Sequence, residues 1–128
     1  MRCLFEPDLP RVIAAAGSHG WTAPLHSTDA VAVRLEAPCG SPAAYLWLHW
    51  SLIEADTLHC HLVASPRFRG RVDYHGAART IPALASLMGA SRIVVSWPRR
   101  REALIWFRFI HRYLPAAVID GCRVVLNL

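Results

Sequence analysis

The sequence predicts a single mixed α/β domain that spans residues 1–128. A chain of 128 residues is long enough for one domain that buries about two thirds of its unfolded surface without help from disulfides or metal. An apolar share of 54% with only 18% charged residues excludes a disordered chain. Short β-branched or alternating runs are interspersed with segments of helical period, which is the pattern of helices packed on a sheet.

The elements predicted before residue 40 are a strand, a helix, a loop and a second strand. In order, they cover residues 2–5, 9–16, 18–29 and 30–35. Asp8 is a suitable N-cap for the helix, and Gly17 is a suitable end. Val31, Val33 and Leu35 occupy alternate positions of the second strand, so we expect one of its faces to be apolar.

The clearest local pattern is a β-hairpin around the turn Glu54-Ala55-Asp56. Its strands are predicted over residues 44–53 and 57–64. The apolar face comprises Leu46, Leu48, Trp50, Leu52, Leu58, Cys60, Leu62 and Ala64. Matching the apolar positions of the two strands places His49 opposite His61 and Ser51 opposite His59, since a slip of one residue would reverse every side chain. The second face, which also carries Trp47, is therefore expected to be polar.

The C-terminal half is predicted to contain two helices and three strands. In order, they cover residues 72–88 (helix), 92–97 (strand), 101–114 (helix), 118–120 (strand) and 123–126 (strand). The residues expected to be buried are Ala77, Ala78, Ile81, Ala85 and Leu87 in the first helix, and Leu104, Phe107, Ile110 and Leu114 in the second. The strand over 92–97 is a continuous β-branched run, which is typical of a strand covered on both faces.

Positive charge is concentrated in the C-terminal half. All 14 positively charged side chains are Arg, and 11 of them follow residue 64, where only three acidic residues stand. Guanidinium groups make forked contacts with phosphate, so a phosphorylated ligand or a nucleic acid is an expected partner. The side chains that could follow phosphates or stack on bases are Arg67, Phe68, Arg69, Arg71, Trp97, Arg99, Arg100 and Arg101.

Cysteine spacing and hydropathy indicate the compartment. The four cysteines include no Cys-x-x-Cys pair, so we expect reduced thiols rather than a disulfide framework or a zinc ribbon. After the basic Arg2, the acid Glu6 and the proline Pro7 stand where a secretory signal needs an apolar stretch, and no apolar run approaches the roughly 20 residues of a membrane span. We therefore expect a cytoplasmic protein without a membrane partner.

The segment after the hairpin resembles a motif of the GNAT superfamily of N-acetyltransferases. In that family a central strand ends near a proline and runs into an Arg-Gly-Arg/Lys turn that opens a helix. The segment Ser65-Pro66-Arg67-Phe68-Arg69-Gly70-Arg71 has this order. The likeness covers residues 30–126 and implies a GNAT-like fold, with a mixed, mostly antiparallel central sheet flanked by helices. It also implies an acyl-CoA-dependent N-acyltransferase that moves an acetyl group from acetyl-CoA to an amine acceptor.

The resemblance further implies where acetyl-CoA would bind. Backbone N–H groups of the turn and of the helix start would hold the pyrophosphate, because unpaired donors and the positive end of a helix dipole favour anions. The residues implied for this site are Arg69, Gly70, Arg71, Val72, Asp73 and Tyr74. The pantetheine arm would lie along the central strand at Leu62 and Val63, where that strand splays from the next one.

The resemblance also assigns catalytic roles. His61 or Glu54 would deprotonate the amine through a water molecule. Aligned on Ala103, the family tyrosine that protonates the departing thiolate falls on Phe107, which has no proton to donate. Tyr113 lies further along the same predicted helix and could serve only if the helix were shifted.

Departures from the family pattern leave other functions open. Val72 and Tyr74 stand where the family has small residues, and Asp73 adds a negative charge. The first alternative is a catalytically inactive protein of the same fold that serves as a virion or assembly component, of the kind found in phage and prophage genomes. The second is a nucleic-acid-binding protein. The trio His49, His59 and His61 permits a metal site, but nothing else in the sequence requires one, so no metal is expected.

Overall fold

The structure is a computed structural model that describes residues 2–6, 31–36, 42–64 and 74–128. The elements are β1 (Arg2–Glu6), β2 (Val31–Glu36), β3 (Pro42–Trp50), β4 (Thr57–Ala64), α1 (Tyr74–Leu87), β5 (Arg92–Ser96), α2 (Arg100–Tyr113), β6 (Val118–Asp120) and β7 (Arg123–Asn127). The helix predicted over residues 9–16 and the loop over 18–29 lie outside the described residues.

The strands follow the order β1-β2-β3-β4-β5-β7-β6. β4 and β5 are parallel, whereas β1–β2, β2–β3, β5–β7 and β6–β7 are antiparallel. The prediction of a mixed, mostly antiparallel sheet with helices is therefore confirmed. The chain divides into two compact units. The first comprises Met1–His49 and His61–Ala77, and the second comprises Trp50–Cys60 and Ala78–Leu128.

In the first unit, β3 is buried on both faces. It pairs with β2 through Ala32 opposite Trp47 and Val33 opposite Leu46. All four of these side chains are buried, and Trp47 is only 1% exposed. The expectation that the Trp47 face would be polar is therefore wrong at this position, because the indole occupies a covered site opposite the small Ala32.

In the second unit, β5 is the central strand. Ile93 and Val94 are buried, and β5 pairs antiparallel with β7 through partners that include Val125. The burial of successive residues confirms that the β-branched run is covered on both faces. Helix α2 contacts β6 and β7 and buries Ala103 completely.

β3 ends at Trp50, earlier than the sequence predicts, and this changes the hairpin. The Ser51 hydroxyl accepts hydrogen bonds from the backbone N–H groups of Ile53 (3.2 Å) and Glu54 (3.0 Å). When a serine hydroxyl accepts bonds from backbone N–H groups two and three residues ahead, the chain forms a turn there and does not continue as a strand. Leu52, expected on the apolar face, is consequently fully exposed.

The helices bury different residues from some of those predicted. In α1, Ala77 and Ala85 are buried as expected, but Leu87 is 86% exposed. Leu87 follows Ala85 by two residues, which is more than half a turn, so it points away from the buried side. In α2, the fully buried residue is Ala103, and its neighbour Leu104 is exposed because a step of one residue rotates the side chain by about 100°.

Candidate active site

Two histidines on neighbouring strands of the first unit form a polar contact between their side chains. The Nε2 atoms of His49 on β3 and His61 on β4 are 3.0 Å apart. The ring centroids are 5.1 Å apart and the ring planes differ by only 5°. That centroid distance is near the largest that a 3.0 Å contact between two five-membered rings allows, so the nitrogens meet head to head rather than face to face. The predicted proximity of His49 and His61 is therefore confirmed.

This geometry defines how the pair can carry a proton. In the neutral pair, one Nε2–H donates to the other Nε2, and Nδ1 of the donor ring keeps its lone pair. A proton taken up at that Nδ1 makes the Nε2–H···Nε2 bond charge-assisted and therefore stronger. Both side chains are half-buried, so the pair can accept a proton from a bound group without complete exposure to water.

Trp47 places a further donor on the same face of β3 as His49, since residues two apart on a strand share a face. Its indole Nε1 is buried and has no hydrogen-bond acceptor among the residues that the structure describes. A buried N–H without an acceptor costs about 1–3 kcal/mol. The sequence pattern does not reveal this donor, because it groups Trp47 only with the face expected to be polar.

Glu54, the second predicted base, lies in the turn between β3 and β4 and is held by arginines. Its Oε1 bonds Nη1 of Arg123, and its Oε2 lies 3.4 Å from Nη2 of Arg92. Arg123 also bonds Asp120 at 2.9 Å, and the hydrogen bonds to Asp120 and Glu54 raise the pKa of Arg123. Both Glu54 oxygens are thus occupied by guanidinium groups that fix the turn. Its role as a base stays a prediction, and no local pattern in the sequence marks these two arginines as its partners.

Tyr113, the predicted acid, is the last residue of α2. Its ring contacts that of Phe109, with centroids 5.3 Å apart and planes inclined by 58°. Phe107, the position of the family tyrosine, is half-buried with its ring centroid 5.3 Å from that of His111. Protonation of a thiolate by Tyr113 stays a prediction.

The residues predicted to bind acetyl-CoA fall partly within the described structure. β4 and β5 pair only through Thr57–Arg92, Leu58–Ile93 and His59–Val94, although β4 continues to Ala64. Leu62 and Val63 lie on β4 beyond the last of these pairs, and their role in holding the pantetheine arm stays a prediction. Tyr74 is the first residue of α1. Arg69, Gly70, Arg71, Val72 and Asp73 lie outside the described residues.

The thiols of Cys60 and Cys122 differ in their exposure. Cys60 on β4 is buried, and burial raises the pKa of its thiol to about 12. A thiol of this kind stays protonated near neutral pH and is a poor nucleophile. Cys122 is half-buried.

Across the parts of the chain that the structure describes, no group of three or more His, Cys, Asp or Glu side chains is arranged to hold a metal ion. The trio His49, His59 and His61 is therefore not arranged as a metal-binding group. No helix within residues 74–128 has the length and apolar character needed to cross a membrane.

Solved structures of N-acetyltransferases share this fold. A spermidine N-acetyltransferase variant from Vibrio cholerae matches with a TM-score of 0.70 at 9% identity, covering 99% of this chain and 95% of that one. A Klebsiella pneumoniae protein assigned as an acyl-CoA N-acyltransferase gives 0.72 at 11% identity, with 99% and 97% covered. A protein assigned as a phosphinothricin N-acetyltransferase gives 0.65 at 13% identity, with 99% of both chains covered.

The sequence by itself does not show membership of a known family. No family model matches the chain. No curated protein is detectably similar to it in sequence. The structural likeness therefore establishes a GNAT-like α/β fold, which confirms the expected fold, and leaves the activity to be argued from the site.

Proposed function

We propose that this protein is an acyl-CoA-dependent N-acyltransferase that moves an acetyl group to an amine, with His61 as the base. The observation that carries the proposal is the early end of the β4–β5 ladder after His59 and Val94. In a fold shared with N-acetyltransferases, this leaves the edge of β4 that follows His59 unused by β5.

The residues present fit an acyl-CoA arm. β4 continues as a strand from Cys60 to Ala64, so its backbone offers N–H and C=O groups at a regular spacing. The pantetheine arm of acetyl-CoA contains amide groups, and extended amides bind a free strand edge by adding to the ladder. Leu62 and Val63 are the strand residues that would hold the arm. The segment Arg69–Tyr74 would hold the pyrophosphate, and its arginines match the charge of that group.

His61 would act on the acceptor amine. Bound acetyl-CoA supplies a thioester carbonyl that a neutral amine can attack but an ammonium group cannot. His61, directly or through one water, would therefore remove the extra proton of the ammonium group. His49 would hold the His61 ring by the Nε2–Nε2 contact of 3.0 Å. The charge-assisted bond within the pair would stabilise the imidazolium that forms.

A second candidate function is a GNAT-fold protein without catalysis. Phe107 favours it, because a half-buried phenyl ring stands where the family has an acidic hydroxyl. Such a protein would act through an assembly partner. Loss of catalysis need not remove acyl-CoA binding, so binding and turnover have to be measured separately.

Isothermal titration calorimetry with acetyl-CoA and with CoA tests the binding step. We expect binding that is tighter at low salt and that is strongly reduced by Arg69→Ala. The matched control is Arg79→Ala, since Arg79 is an exposed arginine of α1 outside the proposed site. Absence of binding at millimolar ligand would exclude the acyltransferase.

Release of CoA thiol in the presence of a panel of amines tests catalysis. We expect a low kcat for His61→Gln with little change in the affinity for acetyl-CoA. His59→Gln is the control, because His59 is also half-buried and lies two residues away on the same strand. Binding of acetyl-CoA without thiol release for any amine would favour the non-catalytic function.

A further inference from the structure

Helix α2 and the strand end before it carry a surface on which aromatic rings and arginines lie side by side. We call it the arginine–aromatic surface and define it by Trp97, Arg101, Trp106, Arg108, Phe109 and Arg112. We infer that this surface binds single-stranded nucleic acid, independently of the proposed acyl transfer.

The aromatic part of the surface is a continuous row of rings. The centroids of Trp97 and Trp106 are 6.2 Å apart with planes inclined by only 12°. Trp106 meets the edge of Phe109 at 5.8 Å, and Phe109 lies 5.3 Å from Tyr113. Positions 106, 109 and 113 share one side of a helix by their spacing of three and four residues. Trp106 is 36% exposed, so part of its ring system is available to a stacking partner.

The arginine part forms a second row beside the first. Arg101, Arg108 and Arg112 are separated by seven and four residues, so they share a side of the helix, about a third of a turn around the axis from the aromatic row. All three side chains are exposed, and none of them makes an ion pair within the described residues. Arg92 and Arg123 in the same unit are instead neutralised by Glu54 and Asp120.

Charge decides what can occupy this surface. Glu102 is the only acid of α2, whereas the helix carries four arginines, two of them at its start. A symmetric dimer through this surface would set the positive row of one copy against that of the other, so charge repulsion disfavours it. A polyanion is complementary, and among polyanions a single strand presents both phosphates for guanidinium groups and flat bases for Trp106. A helix of 14 residues is about 21 Å long, which is long enough to follow a few nucleotides.

Fluorescence anisotropy of a labelled thymidine oligonucleotide of about 12 nucleotides measures the binding directly. We expect saturable binding at low salt, with a log Kd that rises linearly with log salt concentration. Arg108→Ser with Arg112→Ser should weaken binding and flatten that slope by about 0.7 for each phosphate that is no longer neutralised. Arg79→Ser is the control for charge and should leave the slope unchanged.

Substitutions at Trp106 separate stacking from charge. Trp106→Ala should weaken binding by about tenfold at constant salt slope, because removal of a base–aromatic stack does not release counterions. Trp106→Phe should recover most of the affinity, and Leu87→Ala, another exposed apolar position of this unit, should have no effect. Circular dichroism of each variant establishes that it is folded.

Four outcomes would overturn the inference. The first two are an absence of binding at low salt and binding that neither the arginine nor the Trp106 substitutions affect. The third is equally tight binding of phosphatidylglycerol vesicles, if the same variants abolish it, and the fourth is displacement of the oligonucleotide by acetyl-CoA. The last would assign these arginines to the acyl-CoA site. Absence of acetyl-CoA turnover has no bearing on this test, so the two proposals fail separately.

Discussion

At the scale of single residues, the contact between His49 and His61 is the interaction that most directly joins stability to the proposed chemistry. It links β3 to β4 through ring nitrogens 3.0 Å apart. A hydrogen bond between half-buried neutral groups contributes about 0.5–1.5 kcal/mol to stability. Removing either ring removes this contact from the Nε2 atom of the other ring.

We predict that a double-mutant cycle of His49→Ala and His61→Ala gives a coupling energy of about 1 kcal/mol, measured by urea unfolding near pH 8. In proton NMR, the wild type should show a slowly exchanging imidazole N–H signal that is absent from both single variants. His59→Ala should couple weakly to His49→Ala and leave the signal in place. Additive effects of His49→Ala and His61→Ala would show that the two rings do not share a proton.

Cys60 gives a pH dependence with a definite sign. Burial raises the pKa of its thiol from 9.0 to about 12, so the unfolded chain releases this proton at lower pH than the folded chain. Below pH 9 the thiol is protonated in both states, and its contribution to stability is fully present. Between about pH 9 and about pH 12 the unfolded state binds fewer protons, so the free energy of unfolding falls by up to about 1.4 kcal/mol per pH unit.

We predict that Cys60→Ala flattens the decline of stability at alkaline pH, relative to the wild type. Urea unfolding at pH values on both sides of the ordinary thiol pKa measures the difference. Iodoacetamide labelling of the native protein should modify the half-buried Cys122 well before Cys60. Equal slopes in both proteins, or rapid labelling of Cys60, would contradict the assigned burial.

At the scale of elements, the order and type of the described strands and helices follow from periodicity and turn residues. β4 and β6 have the predicted bounds. The predicted bounds and faces are wrong where a tertiary contact or a local hydrogen bond overrides the hydrophobic pattern of the sequence. Ser51 ends β3 by bonding the backbone ahead of it, and Leu52 therefore leaves the apolar face. Hydrophobicity alone could not reveal this, because Leu52 and Ile53 extend the alternation of the strand.

The candidate site was also only partly predictable, because the sequence reports which strand faces match but not which distant residues meet. The matching of apolar faces was sufficient to place His49 beside His61. The partners of Glu54 were not predictable, since Arg123 stands 69 residues further along the chain and carries no local signal. The burial of Trp47 depends on the covering of a second sheet face, which single-strand periodicity does not report.

Helix α1 contains a proline where a helix former would be expected. Pro82 lies inside Tyr74–Leu87, well past the first turn. It has no N–H to bond the carbonyl four residues earlier, and its ring crowds that carbonyl. Proline in a helix interior is about 3 kcal/mol less favourable than alanine.

We predict that Pro82→Ala stabilises the protein by about 1–3 kcal/mol, measured as the change in the urea midpoint at constant m-value. The gain is expected to be smaller than the full propensity difference, since Pro82 is half-buried and the substitution removes the packing of its ring. Ser86→Ala, an exposed change later in the same helix, controls for propensity and should have a much smaller effect. A loss of stability in Pro82→Ala would show that the packing of the ring outweighs the missing hydrogen bond.

At the scale of the whole molecule, net charge joins function to stability. The chain carries a formal charge of +5 at pH 7, with seven histidines counted as neutral. This excess favours the association of anionic ligands, and both proposed ligands, acetyl-CoA and a single-stranded nucleic acid, are anionic. It also opposes compaction, because like charges lie closer together in the folded chain than in the unfolded chain.

Acidification should therefore destabilise the protein in a salt-dependent way. Protonation of the seven histidines brings the formal charge from +5 to +12, and histidines change charge between about pH 8 and pH 5. We predict that Tm falls across this range at low salt and that about 1 M potassium chloride recovers much of the loss, because the Debye length shrinks to about 3 Å. Differential scanning calorimetry at both pH values and both salt concentrations measures this. A loss of Tm that salt does not change would mean that specific contacts such as His49–His61, rather than self-repulsion of the whole chain, set the acid limit of the fold.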